Sequence, residues 1–126
     1  MPEIKLKKVL IAEDERLMAN ALQLKLSHSG FLPTIASNGE EAMDLILKEK
    51  FDIILLDIMM PKRDGFSIMI EMNAKKIKTP IVVLSNLSQE DDAKKAKDLG
   101  AVAFFIKSNT PLLDIIENIK KILKVK

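Results

Sequence analysis

The chain has 126 residues, a length that suits one domain with a sizeable hydrophobic core, so we expect residues 1–126 to form a single domain. Its formal net charge of +2, and the lack of any apolar stretch near the roughly 20 residues of a membrane span, give no reason to expect direct nucleic-acid binding or membrane association. The absence of cysteine excludes disulfides and thiolate metal sites and fits a cytoplasmic location.

The first part of the chain alternates short apolar runs with amphipathic segments. Residues 9–12 are a predicted strand, and residues 15–28 have helical spacing. We expect the apolar face of that helix to carry Leu17, Ala21 and Leu24, with Met18 and Leu22 beside them. Residues 31–36 predict a second strand, and Asn38 is expected to cap a second helix because an acidic residue follows three positions later.

The middle of the chain contains the two most apolar runs. Residues 51–57 predict a third strand, and its continuous apolar centre indicates burial on both faces, as in a parallel sheet. A helix is expected to begin near Gly65 and to stop at Thr79 and Pro80, because proline cannot continue a helix. Residues 81–85 predict the fourth strand.

The last part repeats the same alternation once more. Ser88, with Asp91 three positions later, is expected to cap the fourth helix, and Gly100 is expected to end it. Residues 102–106 predict the fifth strand. Pro111 is expected at the first position of the last helix, whose apolar residues recur at helical spacing.

Five strand–helix units with short connections predict an α/β fold. Right-handed crossovers place helices on both faces of a parallel sheet. We expect a single doubly wound (βα)5 sheet of the flavodoxin-like type, with the strand order 2-1-3-4-5.

Polar side chains stand where the predicted strands end. Glu13 and Asp14 follow the first strand, Asp57 ends the third, Ser85 ends the fourth, and Lys107 follows the fifth. The carboxyl ends of parallel strands lie along one edge of the sheet, and ligands bind there, where the strand order reverses. We therefore expect Glu13, Asp14 and Asp57 to converge, with Ser85 and Lys107 on the far side.

Three carboxylates in one place predict a bound cation. Like charges raise one another's pKa, and a hard divalent cation relieves that repulsion. Mg²⁺ prefers one or two carboxylates, water and phosphate oxygens. Asp57 can then act as a nucleophile toward phosphorus, while Lys107 and the Ser85 hydroxyl suit phosphoryl oxygens. This set of side chains predicts phosphoryl transfer.

Four sequence segments resemble the response-regulator receiver family. They are KVLIAEDE, ILLDIMMPKRDGF, IVVLS and GAVAFFIK, in this order, and the resemblance runs from about residue 7 to residue 123. The D-x-x-M-P-x-x-D-G string between Asp57 and Gly65 is the most specific element. The resemblance implies that Asp57 is the phosphoacceptor and a metal ligand, with Glu13 and Asp14 as the acidic pair that holds Mg²⁺ and Met59 offering its backbone carbonyl.

The resemblance also implies a conformational switch. Ser85 occupies the hydroxyl position, Lys107 the lysine position and Phe104 the position of an aromatic side chain that turns when the hydroxyl moves inward. Phosphorylation is then expected to change partner affinity at the face made by the fourth helix, the fifth strand and the fifth helix. Since Phe104 lacks the hydroxyl of the commoner tyrosine, a switch there is expected to be steric.

The implied partners are a histidine kinase or phosphotransfer protein upstream and an unidentified protein or covalently linked output domain downstream. The chain is expected to be a monomer or weak dimer. It is also expected to catalyse only its own phosphorylation and dephosphorylation, without turnover as an enzyme. Whether it stands alone or belongs to a longer protein is left open.

Two positions depart from the family pattern and keep an alternative open. Ser108 replaces a proline that is usually joined by a cis bond, so either a costly non-proline cis bond or a different loop path is expected. Asn86 replaces a smaller residue and is expected to restrict access to Asp57. Both changes favour a phosphorylation-independent interaction module on the same fold. A dehalogenase-like phosphatase is disfavoured because Met59 stands where that class has a second aspartate.

Overall fold

A computed structural model of the chain describes residues 6–86 and 90–125, with the side chain of Glu90 excepted. The strands are β1 (Lys8–Ala12), β2 (Leu32–Ala36), β3 (Ile53–Asp57), β4 (Ile81–Ser85) and β5 (Ala103–Ile106). The helices are α1 (Arg16–His28), α2 (Gly39–Lys48), α3 (Gly65–Ala74), α4 (Glu90–Asp98) and α5 (Leu112–Leu123). The five predicted strand–helix units are therefore confirmed.

The five strands form one parallel sheet with the order β2-β1-β3-β4-β5, as predicted. Central β3 is buried along its whole length and pairs with β1 on one side and β4 on the other. Proline 33 lies in β2, which is an edge strand, and an edge position tolerates the missing backbone N–H. The order reverses between β1 and β3, which creates the crevice expected there.

Two hydrophobic clusters cover the two faces of the sheet. One joins alternate strand residues to α2, α3 and α4, and the other joins the intervening strand residues to α1 and α5. In β3, for example, Ile54 and Leu56 belong to the first cluster, and Ile53 and Leu55 belong to the second. This alternation follows from the two-residue period of a strand and explains why the apolar run is continuous.

The buried face of α1 differs from the predicted one. Leu17 is 87% exposed and Leu24 is 60% exposed, whereas the buried residues are Ala19, Leu22 and Leu26. The apolar face predicted around Leu17 and Leu24 was therefore wrong, although Leu22, predicted beside that face, is fully buried. Two apolar stripes overlap in this helix, and the packing of α1 against β2 and α5 selects the second one.

Side chains cap the beginnings of α2 and α3, and the end of α3 differs from the predicted one. The Asn38 side chain accepts a hydrogen bond from the Glu41 backbone N–H at 2.9 Å, which confirms the predicted cap of α2. Asp64 caps α3 in the same way. However, α3 ends at Ala74 rather than at Thr79 and Pro80, and Lys76 adopts a left-handed conformation with φ of 59°. Ser88, predicted to cap α4, lies outside the described residues.

The segment after β5 takes a path that the sequence left open. Residues Lys107–Asn109 form a single turn of 3-10 helix, and the Lys107–Ser108 peptide bond is trans. Pro111 occupies the N-cap of α5, one position before the predicted one. Among residues 6–86 and 90–125, no helix combines the length and the apolarity needed to cross a membrane.

Candidate functional site

Strand pairing brings the acidic residues to one edge of the sheet. In the register between β1 and β3, Ala12 lies opposite Leu56, so Glu13 and Asp57 follow at neighbouring strand ends. The backbone N–H of Glu13 donates to the Ala36 carbonyl at 3.0 Å, which extends the ladder and holds the chain in line as it leaves β1.

Glu13, Asp14 and Asp57 form an acidic cluster in which one carboxylate oxygen of each lies within 4.8 Å of the others. Glu13 and Asp57 are buried, and Asp14 is exposed. One oxygen of Glu13, Oε2, accepts a hydrogen bond from the backbone N–H of Glu15 at 3.0 Å. Oδ1 of Asp57 accepts one from the backbone N–H of Met59 at 3.2 Å. Backbone donors thus orient both buried carboxylates.

Lys107 enters the acidic cluster from the end of β5. Its Nζ lies 2.5 Å from Glu13 Oε1 and donates a hydrogen bond to Asp57 Oδ2 at 3.0 Å. The lysine side chain is only 6% exposed, so a buried cation partly balances the two buried anions. A third carboxylate, that of Glu15, lies 3.7 Å from the same nitrogen and is 54% exposed.

Burial and charge shift the pKa values of both central groups. Desolvation raises the pKa of Asp57 from 3.8 to about 7, and the neighbouring Glu13 charge adds to this increase, while Lys107 opposes it. Desolvation lowers the pKa of Lys107, but pairing with Glu13 and Asp57 outweighs it, so that the pKa lies above the ordinary value of 10.5. Lys107 is therefore a cation at neutral pH.

The donor set fits a hard divalent cation. Glu13 Oε1 is buried and, apart from its ion pair with Lys107, accepts no hydrogen bond within the described part of the chain. Burial, together with the charge of Glu13, raises the pKa of Asp57, and a bound cation would relieve both effects. Carboxylate oxygens are also ligands that Mg²⁺ prefers. The acidic cluster therefore has the donors expected for the magnesium site that the sequence predicts.

Ser85 lies at the end of β4, beside the acidic cluster. In the register between β3 and β4, Asp57 is opposite Leu84, so Ser85 is one residue further along the neighbouring strand, and its side chain is fully buried. Phe104 in β5 pairs with Val83 in β4, and both residues belong to the same hydrophobic cluster. By strand alternation, Ser85 and Phe104 lie on the same face of the sheet.

Two further residues, Glu15 and Gly65, shape the site, and the sequence reasoning assigned them no role. Glu15 directly follows the acidic pair and contacts Lys107. Gly65 begins α3 against the Asp57 loop, where a Cβ atom would lie 2.8 Å from the Asp57 carbonyl oxygen and 2.9 Å from the Ile58 Cα. Only glycine permits this approach without a shift of the loop. The glycine in the D-x-x-M-P-x-x-D-G string was the available signal.

Comparisons with known proteins agree with this architecture. Residues 9–120 match the family described as the response regulator receiver domain. The chain therefore belongs to the response regulator receiver domain family, whose members are signalling domains of two-component systems.

Two curated relatives show how far the similarity extends. The chain is 40% identical over 114 residues to the transcriptional regulatory protein PdtaR of Mycobacterium tuberculosis, covering 88% of this chain and 55% of that protein. It is 35% identical over 118 residues to the alkaline phosphatase synthesis transcriptional regulatory protein PhoP of Bacillus subtilis, covering 94% of this chain and 49% of that protein. The chain thus spans about half the length of these relatives.

Solved structures share the whole fold. The receiver domain of the Francisella response regulator 1452 has a TM-score of 0.89 and 29% identity, with 94% of this chain and 97% of that chain covered. The response regulator protein TrrA of Thermotoga maritima, solved in complex with Mg(2+)-BeF, has a TM-score of 0.80 and 27% identity, with 94% and 99% covered.

Proposed function

We propose that the chain is a phosphorylation switch in which Asp57 accepts a phosphoryl group from a phosphohistidine protein or a small phosphodonor. The observation that carries this proposal is the position of the Asp57 carboxylate. It lies within the cluster formed with Glu13 and Asp14, and it accepts a hydrogen bond from Lys107 at 3.0 Å. This geometry supports Asp57 as the nucleophile, Glu13 and Asp14 as the metal-binding pair and Lys107 as the cation for the phosphoryl oxygens.

The proposed step is a displacement at phosphorus. One Asp57 carboxylate oxygen forms a bond to phosphorus, and the bond from phosphorus to the donor nitrogen breaks, with its electron pair returning to the imidazole. Lys107 Nζ then bonds to one phosphoryl oxygen and the Ser85 hydroxyl donates to another. These side chains position and stabilise the charge that develops on the transferred group.

Mg²⁺ is the proposed cofactor, and Glu13, Asp14, Asp57 and the Met59 carbonyl are its proposed ligands. When bound, Mg²⁺ neutralises negative charge on the phosphoryl oxygens and favours the ionised form of the carboxylates. The acidic cluster, the burial of its Glu13 and Asp57 carboxylates and the Mg(2+)-BeF complex of TrrA support this assignment.

We further propose that phosphorylation changes the surface formed by α4, β5 and α5. A cavity of about 260 Å³ beside Phe104, lined also by Ala93, Lys97 and Ala101, supports a movable aromatic ring there. A phosphoryl group that draws Ser85 inward would vacate space on the same sheet face. The charge-assisted hydrogen bonds from Lys107 and Ser85, about 1.5–3 kcal/mol each, are large enough to shift a two-state population.

The proposed partners are a histidine kinase or phosphotransfer protein as donor and a protein or linked domain as output. The transcriptional regulators among the relatives are roughly twice as long as this chain. The single-domain assignment of residues 1–126, a monomer or weak dimer, a cytoplasmic location and the lack of direct nucleic-acid binding remain predictions from the sequence.

Phosphorylation with acetyl phosphate tests the proposal. We expect intact-mass spectrometry to detect one phosphoryl group on the wild-type protein with Mg²⁺ and none after EDTA treatment. Asp57→Asn should abolish the modification. Asp52→Asn, the same chemical change at the opposite end of β3, should leave it intact. Modification that persists in Asp57→Asn would refute the assignment of the phosphoacceptor.

Spectral changes with beryllofluoride test the output. When Mg²⁺ and beryllofluoride are added, the signals of Ser85, Phe104 and the residues of α5 should shift in a two-dimensional NMR spectrum. A phosphorylation-independent interaction module, which Asn86 and Ser108 suggested, would instead bind its partners equally well with and without beryllofluoride. The assembled cluster around Lys107 does not favour that alternative.

A further inference from the structure

Glu15 is directed into the mouth of the site although its position suggests a different role. It is the N-cap residue of α1, yet its side chain makes no capping hydrogen bond to that helix. Instead, its Oε1 lies 3.7 Å from Lys107 Nζ and accepts a hydrogen bond from Asn86 Nδ2 at 3.4 Å. This one carboxylate therefore joins the ends of three strands, β1, β4 and β5.

The three carboxylates around Lys107 differ in accessibility. Glu13 and Asp57 have side chains that are 1% and 4% exposed, whereas the Glu15 side chain is 54% exposed. Glu15 is thus the partner of Lys107 that faces solvent. Glu15 therefore places a solvent-exposed negative charge next to the lysine that is proposed to bind the phosphoryl group.

We propose that Glu15 competes with the incoming phosphoryl group for Lys107 and thereby sets the rate at which anionic donors phosphorylate Asp57. This proposal rests on the proposed function, since it requires phosphorylation at Asp57. Glu15 acts through its charge at the site mouth and takes no part in bond formation. Asn86 holds the carboxylate toward the β4 end, where its charge stays close to the lysine.

The expected size of the effect follows from charge interaction at short range in a partly exposed site. One unit charge within a few ångströms of the reaction path changes the rate for a charged donor about three- to tenfold. The effect should be larger for a donor with more negative charge, and salt should weaken it because the mouth of the site is exposed.

The test compares two small phosphodonors of different charge at pH 7. Acetyl phosphate is a dianion at this pH, and phosphoramidate carries one negative charge less. We expect Glu15→Gln, which keeps the shape and removes the charge, to accelerate phosphorylation by acetyl phosphate about three- to tenfold. The acceleration should be smaller with phosphoramidate, and high salt should reduce it for both donors.

Glu117→Gln is the matched control. Glu117 lies on α5, its side chain is 55% exposed, and it also pairs with a lysine, Lys120, at 3.6 Å. It therefore has the exposure and ion pairing of Glu15 but lies outside the candidate site. We expect its phosphorylation rates to equal those of the wild type with both donors.

A second variant separates charge from tethering. Asn86→Ala removes the hydrogen bond to Glu15 but leaves the charge, and we expect it to accelerate the reaction less than Glu15→Gln. If Asn86→Ala accelerated the reaction more than Glu15→Gln does, the Glu15 charge would not be the obstacle to the donor, and the charge explanation would be overturned. Equal rates for Glu15→Gln and wild type with both donors would also overturn it, while leaving phosphorylation of Asp57 itself established. Failure of every protein to be labelled would instead overturn the proposed function, and this proposal with it.

Discussion

Replacing the central nucleophile should stabilise the metal-free protein. Asp57 is a buried carboxylate next to the buried carboxylate of Glu13, and its pKa is raised from 3.8 to about 7 by desolvation and by that neighbour. At pH 8 the folded state must therefore hold an ionised group that it disfavours. Asp57→Asn removes the charge and keeps the shape of the side chain, so we expect an increase in the free energy of unfolding.

The pKa values set an upper limit on this gain. A raised folded-state pKa contributes stability that is fully present below pH 3.8 and is lost as the pH rises through about 7. A shift of about 3 units corresponds to about 4 kcal/mol at pH 8. This pKa already includes the opposing attraction of Lys107. The amide group of asparagine, however, adds N–H donors that need partners in a buried site, which costs part of the gain. We therefore expect a net gain of about 2 kcal/mol.

Urea denaturation in EDTA measures this gain. The chain has no tryptophan and no tyrosine, so far-UV circular dichroism is the suitable probe. Between pH 5.5 and pH 8 the free energy of unfolding of the wild type should fall by about 2 kcal/mol, whereas that of Asp57→Asn should not fall. Asp44→Asn, the same change at an exposed position of α2, should follow the wild type. Added Mg²⁺ should narrow the difference at pH 8, because it stabilises the ionised wild-type cluster.

The reasoning would be refuted by either of two results. One is an Asp57→Asn protein that is less stable than the wild type at pH 8 in EDTA. The other is the same dependence of stability on pH for both proteins. Either result would mean that Lys107 already compensates the buried carboxylates without a cation.

Two further predictions concern the packing that supports the site. Gly65→Ala should cost about 1–3 kcal/mol in urea denaturation and should slow phosphorylation, because its Cβ would crowd the backbone of Asp57 and Ile58; unchanged stability would contradict this close approach. On α1, Leu22→Ala should cost about 2–5 kcal/mol and Leu24→Ala less than about 0.5 kcal/mol, since the first is fully buried and the second is 60% exposed. Equal losses in these two variants would contradict the observed orientation of α1.

The sequence by itself determined the order of the helices and strands, the order of the strands in the sheet and the edge of the sheet that carries the candidate site. Parallel strands joined by right-handed crossovers place every carboxyl strand end on one side, whatever the details of packing. Glu13, Asp14, Asp57, Ser85 and Lys107 were therefore placed at one edge from their positions after apolar runs, and the structure puts all five there. Their chemical roles remain the proposal made above.

Three features were decided only by the tertiary structure, because each depends on contacts between residues that are distant in the sequence: the buried face of α1, the position of the Glu15 side chain and the pKa of Asp57. Helical periodicity offered two overlapping apolar stripes on α1, and only packing against β2 and α5 selected Ala19, Leu22 and Leu26. The position of Glu15 between Asn86 and Lys107 joins residues 71 and 92 positions apart, which no local pattern encodes. The raised pKa of Asp57 likewise depends on burial and on the Glu13 charge, and both exist only once β1 and β3 are paired.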